Sequence, residues 1–239
     1  MLTVVPANTQ TDFAALYARF TSPIAALNCG HKCAPYNERG VPFCCDTRYA
    51  VPAAYAAEWA YLEANTDLWH RWAGRNSAET EELRAQAPPG QVLIACLGHE
   101  QCQRQFRSIT CRSFPFFPYL NSRGDFLGLS YYWEYEGCCW VISNLDVVTM
   151  EYRNEFIDVY ETIFECTPEE REIYSKHSKL MRKTFQRRRR AIPLLHRNGF
   201  VYKITPVNER MRRIPVESLP RFGPHQIANR LPFPDEVGG

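Results

Sequence analysis

The sequence predicts an α+β, loop-rich fold with a C-terminal helix and β-hairpin extension. Three observations carry this. Amphipathic helical periodicity recurs over 51–72 and 146–190. Short apolar runs bounded by Gly and Pro, such as QVLIACL at 91–97, read as strands. Between them lie Gly- and Pro-containing stretches that hold most of the ten cysteines.

Taken in order, a short helix is expected near Asp12 to Phe20, followed by CGHKCAPYNERGVPFCCD as a loop. From Val51 to Trp72 the residues Tyr55, Trp59, Leu62, Trp69 and Trp72 recur at helical intervals, and Gly74 stands where a C-cap would close one long helix. Pro88-Pro89-Gly90 ends a further helical segment before the strand at 91–97. Pro115 and Pro118 exclude regular helix and force an extended, irregular path, and a β-like run follows from Leu127 to Glu136.

Asp146 to Phe164 is helical. Thr167-Pro168-Glu169-Glu170 then starts a second helix, with a Thr cap, Pro at the first position and Glu three residues after the cap, running to about Arg190. Asn198-Gly199 marks a tight hairpin. Beyond Pro206 the prolines imply an extended strap or partly disordered tail. The expected organisation is a cysteine-bearing domain over 1–145, a basic helical and hairpin extension over 146–205, and a Pro-rich tail over 206–239.

Composition excludes several classes. The chain has 239 residues, 45% of them hydrophobic, and its 28 Lys and Arg nearly balance 26 Asp and Glu, so it is neither disordered nor a nucleic-acid coat. No apolar stretch approaches the roughly 18 to 20 residues of a membrane span. The start, MLTVVPANTQTDF, has no basic n-region or long apolar h-region, so the chain reads as unexported and cytoplasmic. Thiols stay reduced there, and clustered cysteines then point to metal rather than disulfides.

The candidate ligands are Cys29, Cys33, Cys44, Cys45, Cys96, Cys102, Cys111, Cys138 and Cys139. Thiolates select zinc, copper(I) or iron–sulfur centres over hard cations. In an extended backbone the adjacent Cys44 and Cys45 would face opposite ways, so they serve different sites or one of them is structural. Counting only one of Cys138 and Cys139 leaves eight thiolates, which at about four per centre fill two sites, or one with spare thiols. Surplus and adjacent cysteines suit a polynuclear iron–sulfur cluster better than a single zinc, which stays as the alternative cofactor. Lys32, Arg104, Arg107 and Arg112 lie close enough in sequence to offset thiolate charge. His31 and His99 are possible substitute ligands, and Asp46 a possible ligand or general base. Cys166, at a helix end, reads as a small core residue.

A paired motif ending in Cys44-Cys45, then Cys96-Leu97, Cys102, the block Cys111-Arg112-Ser113-Phe114-Pro115-Phe116 and a late Cys138/Cys139 resembles the zinc- or iron-chelating CxxCxxCC family of YkgJ-type cysteine cluster proteins. The likeness spans about 29–139. It implies that these thiols form a metal-binding domain. Some members of that family look like flagellin lysine N-methylases, so an enzyme, either an iron–sulfur oxidoreductase or a protein-modifying one, is among the implied functions. The first motif is spread out here, with Cys29 and Cys33 well ahead of Cys44, and Arg107-Ser108 replaces the usual Arg-Pro.

The partner implied for redox or metal-dependent chemistry is a protein or small molecule. A second reading is a zinc-stabilised module whose basic part contacts a nucleic acid or a protein. Residues 171–221 hold a local net charge of +12, leaving −10 for the remainder. Arg187 to Arg190, with Phe185, Phe200 and Tyr202 nearby, would meet nucleic acid through about 182–213. The competing expectations are a solvated helix face or docking on the protein's own acidic part.

Overall fold

The computed structural model describes residues 11–226 and has an α+β fold. Helix α1 (Phe13–Arg19) starts where the Asp12 carboxylate accepts from the Ala15 N–H at 3.0 Å. The first cysteine segment, expected as loop, instead holds a one-turn helix α2 (Cys29–Cys33) and tight turns at Ala34–Tyr36 and Phe43–Cys45.

The long helix expected over 51–72 is three elements: β1 (Ala53–Tyr55), α3 (Ala56–Asn65) and β2 (Trp69–Arg71). Helix α4 (Ser77–Gln86) then leads to β3 (Gln91–Cys96). Both flanks of α3 pair antiparallel with β3, Ala53 opposite Leu93 and Trp69 opposite Cys96. Backbone pairing across the chain overrides the helical period, while Trp59, Leu62, Trp69 and Trp72 still reach the core.

One-turn helix α5 (Ile109–Ser113) precedes β4 (Phe116–Leu120) and β5 (Phe126–Tyr131). After α6 (Trp140–Ser143) come the two long helices α7 (Met150–Cys166) and α8 (Pro168–Arg187). Strands β6 (Ile192–His196), β7 (Val201–Ile204) and β8 (Met211–Arg213) complete an antiparallel sheet in the order β4-β5-β6-β7-β8. Hydrogen bonds in this sheet cross the boundaries expected at 145 and 205, and the start of the tail supplies a strand. Pro232 and Pro234 lie outside the described residues.

Pro115 lies in the turn before β4, after a cis Phe114–Pro115 peptide bond, as the irregular path expected here allows, whereas Pro118 stands within β4 and is accommodated because that strand is an edge. Helix α8 covers that edge: the Leu120 N–H donates to Ser178 Oγ at 3.0 Å and Arg182 donates to the Leu120 carbonyl at 2.8 Å. Gly128 sits at φ +145°, where an added Cβ would stand 2.3 Å from the Leu195 carbonyl oxygen, so only glycine lets β5 approach β6. At the hairpin, Gly199 takes φ +86° and Asn198 Oδ1 accepts from the Phe200 N–H.

Helix α8 ends at Arg187 rather than Arg190, because the chain must turn back to bury Ile192 and Leu194. Its expected N-terminal box is also incomplete. Pro168 holds the first position, but the Thr167 side chain makes no capping bond, and Glu170 is turned inward, 3% exposed.

A second buried acid ties the N-terminal elements together. Glu58, fully buried, accepts from Tyr17 Oη at 2.7 Å, from the Ile109 N–H at 2.6 Å and from the Tyr55 N–H at 3.2 Å. Burial raises its pKa to about 7 despite these donors and the nearby Arg112. The folded chain therefore binds this proton more tightly than the unfolded one. The resulting stability is complete below about pH 4.5 and falls as pH rises to about 7, by an order of 3 kcal/mol. Urea denaturation across pH 4 to 8 should show this descending limb in the wild type and its loss in Glu58→Gln; a variant with the same pH profile would contradict the assignment.

Candidate functional site

The thiols are delivered by short, locally capped segments. In α2, Asn28 Oδ1 accepts from the Gly30 N–H at 3.1 Å, and the four-residue spacing of Cys29 and Cys33 puts both on one face. A Cβ at Gly30 would lie 2.9 Å from Pro42 Cγ, so the next cysteine turn packs close only against glycine.

That turn alters the expectation for the adjacent pair. Cys44 and Cys45 occupy a 3-10 turn, not an extended strand, and their sulfurs are 3.9 Å apart. This is about the ~3.8 Å edge of a tetrahedron with ~2.3 Å metal–sulfur bonds, so the two are spaced to share one metal atom. The hydrogen bond between them lowers the Cys45 pKa and raises that of Cys44. Asp46, weighed above as ligand or base, anchors the turn instead. Its carboxylate is gripped by Arg48 Nε and Nη2 (3.1 and 2.7 Å) and by Asn37 Nδ2 (3.3 Å), and the Arg48 bonds pull its pKa down to about 2.

The second group sits on other elements. Cys96 ends β3, Cys102 follows the turn His99–Gln101, and Cys111 lies in α5, whose start is capped by Ser108 Oγ accepting from the Cys111 N–H. Trp69 Nε1 donates to the Phe106 carbonyl at 2.7 Å and fastens this loop to β2. Cys44, Cys45, Cys96, Cys102 and Cys111 line one chamber of about 40 Å³, joined by His99 and Arg107. That is room for more than one water-sized particle.

Among the candidate cations, Arg107 serves the sulfurs directly: its Nε donates to Cys102 Sγ at 3.0 Å, and its charge helps lower the Cys45 pKa. Arg112 is structural. It donates to the Arg107, Gln105 and Phe20 carbonyls and lies over the Tyr17 ring at 4.4 Å.

Cys29, Cys33 and Cys139 form an adjacent group, close enough to influence one another's charge, and Cys29 also feels Cys45. Cys138 lies near Cys33, its sulfur directed to the Tyr135 carbonyl. None of these four lines the chamber. His31 is exposed and meets the Asn28 side chain, whereas His99 is at the chamber wall. Burial raises the pKa of Cys29, Cys96 and Cys139, of Cys33 and Cys111 to about 12, and of Cys138 to about 11. These thiols are thus protonated at neutral pH, and any metal they bound would displace protons.

The donor chemistry fits a thiophilic centre. The spacing does not close on a single ion: among the described residues, no three His, Cys, Asp or Glu side chains are grouped tightly enough to hold one.

The basic segment is partly consumed inside the fold. Arg190 makes two bonds to Glu136 (2.7 and 2.8 Å), Arg182 pairs with Glu209, Arg197 with Glu161, and Arg213 stacks on Phe200. Glu136 and Glu161 belong to the acidic part, as the docking expectation requires. Among the described residues, no helix is long and apolar enough to cross a membrane.

Sequence reasoning passed over one further feature. A larger cavity borders the thiol chamber at Cys44 and Cys111 and is paved by Glu170, Tyr174 and His177 of α8. Their spacing along the predicted helix was the available signal.

Comparison with protein-family models, with curated proteins and with solved structures finds no match to this chain.

Proposed function

We propose that Cys44, Cys45, Cys96, Cys102 and Cys111 hold an iron–sulfur cluster for redox or metal-dependent chemistry on a protein or small-molecule partner. One observation carries this reading: five thiols from three separated stretches of chain line a single chamber beside a guanidinium. Sulfurs too dispersed for one ion are better matched to a polynuclear centre, which holds its ligands further apart. When bound, such a cluster supplies one-electron transfer. The chain's own part is to orient the thiols through the turn at 43–45 and α5, to offset their charge with Arg107, and to restrict water with Trp69 and Leu68. Zinc is the second chemistry, favoured by the 3.9 Å separation of Cys44 and Cys45.

Anaerobically purified protein should be brown, with absorption near ~400 nm and an EPR signal on reduction. Colourless protein with stoichiometric zinc would establish the second chemistry, and protein lacking both metals would refute the reading. Cys111→Ser should lose metal and stability together, while Cys166→Ser keeps both. Full metal retention in Cys111→Ser would strike Cys111 from the ligands. Arg107→Gln, which removes a donor to sulfur without removing a ligand, should weaken metal affinity by about 10- to 100-fold, as read in a chelator competition.

A further inference from the structure

The cavity that meets the thiol chamber at Cys44 and Cys111 encloses about 340 Å³. This is near the lower end of small-molecule sites, too small for a folded partner. Six aromatic side chains stand in its walls: Phe114, Phe116, Tyr132, Tyr135, Tyr160 and Tyr174. Tyr135, Tyr160 and Tyr174 are held in place by bonds from their hydroxyls. Tyr160 Oη donates to Ser113 Oγ at 3.0 Å and lies 3.3 Å from Tyr174 Oη, and the Tyr135 hydroxyl donates to the Tyr49 carbonyl at 2.7 Å.

One charged residue faces this aromatic space, and its charge is unbalanced. Glu170 is 3% exposed and accepts from two neutral donors, Gln91 Nε2 at 3.0 Å and Tyr55 Oη at 3.2 Å. No Lys or Arg lines the cavity, and among the described residues no cation lies within ion-pair distance of Glu170. Burying a carboxylate without a counter-charge is costly, and burial accordingly raises its pKa. Glu170 also forgoes the helix-start role that its place after Thr167 would allow.

His177 adds a second unsatisfied group. It lines the same cavity, its ring stacks on Trp133 at 5.1 Å, and its Nε2 has no hydrogen-bond partner among the described residues. Burial lowers its pKa to about 4, so it is neutral at pH 7 and competes for no negative charge. The site therefore offers an anion and several aromatic surfaces, with no cation of its own. Aromatic faces attract cations, and a buried carboxylate strengthens that preference.

We propose that this cavity binds a small organic ammonium ion, its charged head set against Glu170 and the tyrosine rings and its remainder directed toward the Cys44 and Cys111 thiols. The site stands on the cavity and its charge imbalance, independently of any metal in the adjoining chamber.

The test is calorimetric titration of the full chain with two cation and neutral pairs of similar shape: choline against 3,3-dimethylbutan-1-ol, and n-butylammonium against 1-butanol. At least one cation should bind about tenfold or more tightly than its neutral counterpart. Glu170→Gln, which keeps the size and one acceptor, should erase that preference. The inference is overturned if neither cation outbinds its neutral partner, or if folded Glu170→Gln retains the preference. Should Glu170→Gln fail to fold, the wild-type comparison decides alone. Repeating the titration on wild-type protein stripped of metal by a chelator separates the two proposals, because cation binding there persists whether or not the chamber holds a metal.

Discussion

Helix α5 is a single turn, far too short to persist unsupported, and its position is imposed by polar ties to every neighbour. The Ile109 N–H reaches Glu58, Thr110 Oγ1 donates to the Ala53 carbonyl, and Tyr152 Oη contacts the carbonyls of Arg112 and Ser113. Arg112 gathers the carbonyls of Phe20, Gln105 and Arg107 with one guanidinium. These bonds join α1, β1, α3 and α7 at one point. Since Cys111 is in the middle of that turn, the same network that closes the fold also locates a thiol at the boundary of two cavities.

The two cavities differ in whether a cation balances their acidic groups. The thiol chamber has groups that become negative when deprotonated, and Arg107 stands at its wall to receive that charge. The aromatic cavity has a fixed acid and no cation. Cys44 and Cys111 are shared between them, so a molecule in the larger space would lie against sulfurs of the smaller one. The proposed thiol-held centre and the proposed cation site are thereby adjacent through two side chains rather than through a long path of coupled motions.

Much of the framework was legible from local rules. Helices α1, α4 and α7 begin at Asp12, Asn76 and Thr149, whose side chains accept the orphan N–H groups, and the turn at Asn198-Gly199 needs a positive φ that glycine supplies. The segment 51–72 misled because its tryptophans are spaced like a helix while its backbone ends are claimed by β3. The orientation of Cys44 and Cys45 misled for a related reason: a tight turn reverses the rule that adjacent side chains diverge. Thr167 and Glu170 obey the helix-start pattern in sequence, yet Glu170 turns into the cavity, where Gln91 and Tyr55 compete for it.

Chemistry and local geometry are thus written along the chain: thiol donors suited to soft metals, caps, turns, amphipathic faces and a lopsided charge. Which thiols share a chamber, which arginine meets sulfur, and which acid is left without a counter-charge depend on segments far apart in sequence. Those outcomes are set by packing, because burial and distance determine the energy of every such group, and neither quantity exists until β3, α5 and α8 have come together.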